Sequence, residues 1–329
     1  MFSLIVFLIF SFPITAYCWE KVPVPDYVDK KTKSPWNFYE NFESKSLKKL
    51  KINNKGSGRK PFKFEQDKDG NTFLAITVKD KSNKDMGSGG VTERAELGTG
   101  YRNTKNKEVW YGFKIRFPKD FIHIDDRLLI TQFKNQFNPM KKSPLLGIRF
   151  YQNGKILDIG GDTGGNPAKW YNKKEYKKHS IRIKYIKNKD SWILFQTKKR
   201  DSDHMEIWKC NVSENMKAYD TSSLKLPKYC KNYKKINKIF SSSELGEWVV
   251  FKIGLKNSKK KDGFVKVYRN NELIMNYSGI TYDWKGGQYK GTDIRIGPYR
   301  DSDPNGEGYP DQTIHFDDFI VVSDKKTLD

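Results

Sequence analysis

Val109-Trp110-Tyr111-Gly112-Phe113-Lys114-Ile115-Arg116-Phe117 decides the class of fold. Tyr111, Phe113, Ile115 and Phe117 fall on one face of an extended chain, and Trp110, Lys114 and Arg116 fall on the other. Side chains alternate across a strand with a period of two, so the stretch reads as a half-buried β-strand. The signal recurs. Thr72–Val78, Leu128–Lys134, Leu146–Tyr151, Ser180–Ile186, Ser191–Thr197, Trp248–Leu255 and Gly263–Tyr268 read as strands. Arg269-Asn270-Asn271-Glu272 reads as a tight turn into Leu273–Tyr277, and Asp293–Tyr299 and Thr313–Val322 close the series. No long helical period interrupts it; Lys173–Lys178 and Ser242–Leu245 have room for single helical turns. Many strands separated by turn signals predict an all-β sandwich or jelly roll.

Residues 3–12 form an apolar run at the extreme N-terminus, too short to span a bilayer comfortably. Ala16-Tyr17-Cys18 then supplies small residues where a signal peptidase reads. Residues 1–18 are therefore expected to be a signal peptide, although no Lys or Arg precedes the apolar run. The mature protein would be secreted, periplasmic or extracellular, with no membrane attachment after cleavage. An uncleaved anchor and a lipoprotein through Cys18 are the competing readings. Residues 19–329 read as a single domain, with no repeat or low-complexity linker. Cys210 and Cys230 remain, an even count in an oxidising compartment, and a disulfide between them is expected. It would staple a Lys-rich insertion at about 199–246 that lacks a clear period. Nothing in the sequence speaks to oligomeric state.

The formal net charge is +23, from 62 Lys plus Arg against 39 Asp plus Glu. A field of that sign attracts polyanions. Nucleic acid, anionic membrane and acidic polysaccharide all qualify, and a composition rich in Lys, Asn and Ile also arises without any ligand. The sharper information lies in three polar strand faces. In Val91-Thr92-Glu93-Arg94-Ala95-Glu96-Leu97-Gly98, Arg94 and Glu96 point one way, with Ala95 and Leu97 behind them. Gln132 and Lys134 share a face while Phe133 points to the core. Asp293, Arg295, Gly297 and Tyr299 share a face opposite Ile294 and Ile296. A fixed guanidinium beside a carboxylate suits a polar, anionic ligand, and aromatic rings suit the apolar faces of sugars. Ordinary surface ion pairs account for any one segment; three together favour a sugar-binding groove.

These segments, Glu93-Arg94-Ala95-Glu96-Leu97, Gln132-Phe133-Lys134 and Arg295-Ile296-Gly297-Pro298-Tyr299-Arg300, resemble in order and rough spacing the jelly-roll polysaccharide lyases. The chain looks most like the heparin lyase I-like group, with glucuronan and alginate lyases as more distant relatives. Gly246-Glu247-Trp248, the hairpin Gly263 to Leu273, and Ile314-His315-Phe316-Asp317-Asp318 extend the resemblance over roughly residues 60 to 323. It implies a concanavalin-like two-sheet sandwich with a concave substrate groove, and β-elimination at a uronate-containing polysaccharide. Arg94 and Gln132 match positions that contact the uronate carboxylate, and Glu96 matches one that buttresses the arginine. Lys134, Arg295 and Arg300 are expected to grip neighbouring acidic groups, and Tyr299 matches an aromatic position.

Two departures concern the base. The family's Gln-x-His becomes Gln132-Phe133-Lys134, where the lysine serves as base only if burial or neighbouring cations lower its pKa and is otherwise another carboxylate clamp. The tyrosine that the alginate-lyase version of the motif places two residues before Arg295 is Asp293. Tyr299 or Tyr289 would then supply the phenol, since nearby cations favour an ionised phenol. Among four histidines, His123, ahead of the Gln132 strand, is the candidate for a displaced catalytic histidine. His315 shares a face with Asp317, as a groove residue or an ordinary surface pair; His179 and His204 read as solvated. No His/Cys cluster has zinc spacing. Asp301, Asp303 and Asn305 set oxygens at alternate positions, which suits calcium, but a plain Asp/Gly turn accounts for them as well. No cofactor is required by the expected reaction. The alternative is a non-catalytic lectin for acidic glycans on the same scaffold. A glycoside hydrolase needs two carboxylates across a cleft, and no tight acidic motif stands out beyond Glu93 and Glu96. Nucleic-acid binding lacks a motif and conflicts with the secretory signal.

Overall fold

Alternation along β-strands sorts the chain into an inner and an outer set of side chains, and the fold follows from where the inner set meets. The computed structural model describes residues 38–52, 61–79, 92–100, 107–138, 145–151, 153, 156–162, 180–186, 191–195, 204–207, 210–212, 245–281, 288–303, 305–323 and 325–328. Residues 1–18, expected to be a signal peptide, together with Cys230, most of the Lys-rich insertion and the Lys173–Lys178 segment, lie outside them.

The strands form two antiparallel sheets. The first holds β1 (Phe38–Glu40), β3 (Phe62–Gln66), β4 (Thr72–Val78), β7 (Glu108–Arg116), β13 (His204–Ile207), β14 (Cys210–Val212), β15 (Val249–Lys256), β16 (Gly263–Arg269), β17 (Glu272–Gly279) and β19 (Gln312–Val322). Its order is β14-β13-β17-β16-β15-β7-β19-β4-β3, with β1 on β19. The second holds β2 (Lys51–Ile52), β5 (Thr92–Arg94), β6 (Leu97–Gly98), β8 (Leu128–Asn138), β9 (Leu146–Tyr151), β10 (Ile156–Asp162), β11 (Ser180–Ile186), β12 (Ser191–Phe195) and β18 (Gln288–Asp301). Its order is β12-β11-β10-β9-β8-β18-β6-β2, with β5 on β18. Among the described residues the one helical element is a 3-10 turn, Lys325–Leu328.

The inner faces meet in one large core. Tyr111, Phe113, Ile115 and Phe117 are buried there with Phe133, Ile148, Phe150, Ile294 and Ile296 of the second sheet. Tyr111 meets Phe133 edge-on with centroids 4.9 Å apart, and Phe117 meets Phe150 at 5.5 Å. The other face of β7 is also covered at one place: Trp110 packs with Ile320, Val322 and Leu328 of the 3-10 turn. The hairpin from β16 to β17 turns on Asn270 and Asn271, both at positive φ, which a tight two-residue hairpin requires and asparagine tolerates.

Val91–Gly98, expected as one strand, is split into β5 and β6, both paired to β18 in continuous register. The gap faces Pro298, which has no N–H to donate; its carbonyl instead accepts the Ala95 N–H at 2.9 Å. Beside it Gly297 has φ 117°, and a Cβ there would lie 2.1 Å from the Ala95 carbonyl oxygen. Only glycine fits.

Arg300 was expected at the substrate, and the structure buries it completely instead. Its Nε donates to Glu93 at 2.6 Å, and Nη1 donates to the Pro310 carbonyl at 2.6 Å and to Gln312 at 3.1 Å. It alternates with Tyr299, so it faces inward at the sheet margin where Glu93 needs a counter-charge. Arg300→Ala strands that carboxylate and should cost about 3–5 kcal/mol of unfolding free energy by urea titration. A Glu93→Leu, Arg300→Met double variant should lose far less; an equal loss would show that the charge pairing is not what matters.

His315, a groove candidate by sequence, lies on the first sheet, on the strand face it shares with Asp317. Arg116 Nε donates to His315 Nδ1 at 3.1 Å. Burial and then the Arg116 charge lower His315 from 6.5 to about 4, against Glu65 and Asp120. Burial and then Asp318 raise Asp317 from 3.8 to about 7, against Asn71, the Asp318 N–H and Lys114. The consequences for stability oppose each other. His315 protonates more readily unfolded, so its contribution is present above 6.5 and is lost as pH falls towards 4. Asp317 protonates more readily folded, so its contribution is present below 3.8 and is lost as pH rises through 7. Relative to the parent, Asp317→Asn should gain unfolding free energy, and His315→Gln lose it, between about pH 4 and 6.5. Parallel pH profiles in all three chains would contradict this.

Candidate active site

The outer face of the second sheet gathers the polar residues of three sequence-distant strands. On β18, Arg295 stands opposite Gln132 of β8 on one side and Gly98 of β6 on the other. Asp293 stands opposite Lys134, and Tyr299 opposite Arg94 of β5. Their alternates Ala95, Leu97, Phe133, Ile294 and Ile296 are wholly buried in the core. Alternation therefore forces Arg94, Glu96, Gln132, Lys134, Asp293, Arg295 and Tyr299 onto one face.

Glu96 is the centre of the group. It is 1% exposed and accepts a short hydrogen bond from Gln132 Nε2. Arg94 Nη1 lies 3.7 Å and Arg295 Nη1 3.8 Å from its second oxygen. Burial raises the Glu96 pKa, and Arg295, Arg94, Gln132 and Lys134 pull it back towards the ionised form. An ionised carboxylate only accepts, so Gln132 must turn its NH2 group towards Glu96. That leaves one amide N–H and the carbonyl oxygen for a ligand. Arg295 is held from a second side, its Nε donating to Asp293 at 2.8 Å. Two guanidiniums are thus fixed with only 12% and 11% of their side chains exposed. Charge held this way is oriented before a ligand arrives. The Arg94 guanidinium lies over the Tyr299 ring, 4.3 Å from its centroid.

Two partners on this face escaped the sequence reading. Arg149 of β9 bonds to Asp158 of β10 at 2.9 Å and to the Gly160 carbonyl at 2.8 Å, with both side chains buried. It lies across Gly147, where a Cβ would come 2.8 Å from Nη2, and Gly147 is the cross-strand neighbour of Gln132. Arg149 interrupts the apolar residues Ile148 and Phe150, which is the signal that could have marked it. Arg127, just before β8, is the second; its guanidinium lies 4.8 Å from the Tyr299 ring centroid.

The remaining candidates sit elsewhere. His123 packs among the rings of Phe117, Phe121 and Phe150, at 5.8, 4.9 and 4.8 Å, an apolar setting for a proposed base. Tyr289 pairs through its backbone with Phe137, and its side chain lies outside the described residues. Asp301 is engaged by Arg127, and Asp303 accepts the N–H groups of Asn305 and Gly308 at 2.9 Å each. Those bonds are the ones an Asp turn needs. No group of three metal-ligating side chains occurs among the described residues. Cys210 opens β14, while Cys230 lies outside the described residues.

A two-sheet β-sandwich with cations gathered on one outer face suits an anionic ligand. The chain belongs to the polysaccharide lyase family, whose sequence profile matches residues 28–320, and it is a polysaccharide lyase. No curated protein matches it in sequence. Its fold is similar to that of the endo-β-1,4-glucuronan lyase from the fungus Trichoderma reesei, with TM-score 0.54 and 13% identity over 88% of this chain and 96% of that one. Alginate lyase A1-II′, of polysaccharide lyase family 7, aligns with TM-score 0.45 and 11% identity over 84% and 94% of the two chains. An alginate lyase from Pseudomonas aeruginosa aligns with TM-score 0.41 and 12% identity over 82% and 88%.

Glu96→Gln removes the charge shared by Arg94 and Arg295 and lets the Gln132 amide face either way. Turnover should fall by about 10-fold or more, with an unchanged circular dichroism spectrum. Parental turnover in this variant would remove Glu96 from the organisation of the site.

Proposed function

We propose that the protein cleaves a uronate-containing acidic polysaccharide by β-elimination, as a member of the heparin lyase I-like group. The observation that carries the reading is the convergence of Arg94, Gln132 and Arg295 around one buried carboxylate. A uronate C5 proton is weakly acidic until the adjoining carboxylate is neutralised and enolate-like charge can develop. The Arg94 guanidinium and the remaining Gln132 N–H suit that carboxylate. Tyr299, beside Arg94, is the proton-transfer group. Its phenolate takes the C5 proton, the freed electron pair forms the C4–C5 double bond, and the C4–O4 bond breaks. The departing O4 receives the proton from the phenol, so no cofactor is consumed. Lys134 is suited to hold the acidic group of a neighbouring sugar. The N-terminal apolar segment and the basic composition fit a secreted enzyme that meets such polymers outside the cell.

A panel of heparin, glucuronan and alginate, followed for the ultraviolet absorbance of new double bonds, tests the reaction and finds the polymer. Arg94→Ala should lower turnover by about 10²–10³-fold on whichever polymer is cleaved. Parental turnover would exclude Arg94 from the mechanism. Binding of these polymers with no unsaturated product after long incubation would favour the lectin instead.

A further inference from the structure

Arg127 belongs to none of the motifs that mark the site, yet it reaches the one side chain assigned to proton transfer. Two guanidiniums lie over the Tyr299 ring, that of Arg94 at 4.3 Å and that of Arg127 at 4.8 Å from its centroid. Arg127 is itself fixed. Its Nε and Nη2 donate to the two carboxylate oxygens of Asp301, at 3.1 and 2.5 Å, a fork-on-fork pair. The Asp301 N–H donates back to the Arg127 carbonyl at 3.3 Å. Asp301 follows Tyr299 by two residues on β18, so the strand that carries the tyrosine also carries the anchor of its neighbour. Burial works against the Arg127 charge, and Asp301 followed by Tyr299 more than restores it. Arg127 therefore remains a cation beside the phenol.

We propose that Arg127 is a positioning residue for Tyr299: anchored by Asp301, it fixes the ring and, with Arg94, supplies the positive charge beside which the phenol gives and regains its proton. The inference rests on the assignment of Tyr299 to proton transfer. A partly exposed tyrosine on a sheet face is otherwise free to change rotamer, and rotation would carry its hydroxyl away from the reacting carbon. Cation contact on the ring opposes that rotation, and geometry held in advance lowers the barrier to reaction. Lysine in place of Arg127 would keep the charge but lose both the fork onto Asp301 and the planar contact with the ring.

The test uses full-length protein and whichever of heparin, glucuronan or alginate the parent cleaves. It compares kcat and KM for Arg127→Ala, Arg127→Lys, Tyr299→Phe and the Arg127→Ala, Tyr299→Phe double variant. Arg127→Ala should lower kcat by about 10-fold or more, with KM within about 2-fold of the parent. Arg127→Lys should recover only part of the loss. Added guanidinium, below denaturing concentration, should raise kcat of Arg127→Ala and leave Tyr299→Phe unchanged. Tyr299→Phe should lose about 10²-fold or more, and the double variant should be no slower than Tyr299→Phe, because Arg127 acts through the phenol. Parental kcat in Arg127→Ala with an impaired Tyr299→Phe overturns the role of Arg127 alone. The same holds if Arg127→Ala slows the Tyr299→Phe enzyme by the factor seen in the parent. Parental kcat in Tyr299→Phe overturns the assignment of Tyr299 and the inference with it.

Discussion

A carboxylate removed from water must be surrounded by charge and hydrogen bonds, or it neutralises itself. Glu96 is surrounded, and the geometry of the site follows from that. It sits 1% exposed between Arg94 and Arg295 and under the Gln132 amide. Both guanidiniums are drawn to one oxygen of Glu96, and the Gln132 amide to the other. An anionic ligand arriving from outside meets positive charge that is already in place. Burial tends to protonate Glu96, and the surrounding cations oppose it. Three cations, Arg94, Arg295 and Lys134, thus stand against the two carboxylates of Glu96 and Asp293, an excess that favours a further negative group.

Much of this was legible from alternation. Val109–Phe117 marked the core strand, and the buried Phe113, Ile115 and Phe117 occupy the face it predicted. Alternation also separated Arg94 and Glu96 from Ala95 and Leu97, and Arg295 and Tyr299 from Ile294 and Ile296. What period alone does not carry is cross-strand register. Alternation with Tyr299 already turns Arg300 inward, but the partner that holds it there, Glu93, lies 207 residues earlier in the chain. Asp158 and Arg149 are close in sequence, but their pairing depends on β10, whose Gly160 and Gly161 weaken any strand signal. Arg127 and Asp301 are 174 residues apart. His123 drew attention through its residue type, and its environment is decided by three phenylalanines that no local pattern brings together.

The two sheets divide labour through the same rule. The first sheet's outer face is also crowded, with Arg116 over both Phe73 and Trp248, each at 4.4 Å, and His315 against Phe73 at 4.7 Å. Lys114 is paired one-to-one with Asp318, and Arg116 donates a hydrogen bond to the neutral ring of His315. On the second sheet Arg94 and Arg295 instead share one carboxylate, Glu96. Matched pairs stabilise a surface modestly; shared ones leave an electrostatic preference for an incoming anion.

The irregularity of β18 at Gly297 and Pro298 has a larger reach than its size suggests. Relative to β8, the pairing shifts by one residue between Ile296 and Tyr299. Because successive residues on a strand look in opposite directions, that single extra residue decides which of two neighbours is presented outward. With it, Tyr299 lies on the outer face beside Arg94 and the guanidinium of Arg300 is locked inside against Glu93. Removing one residue there would exchange the two, turning the tyrosine ring into the interior and leaving Glu93 without its cation. The make-up of the outer face and the pairing of Glu93 are thus tied to the same backbone count, and a deletion at this point could not spare one while damaging the other.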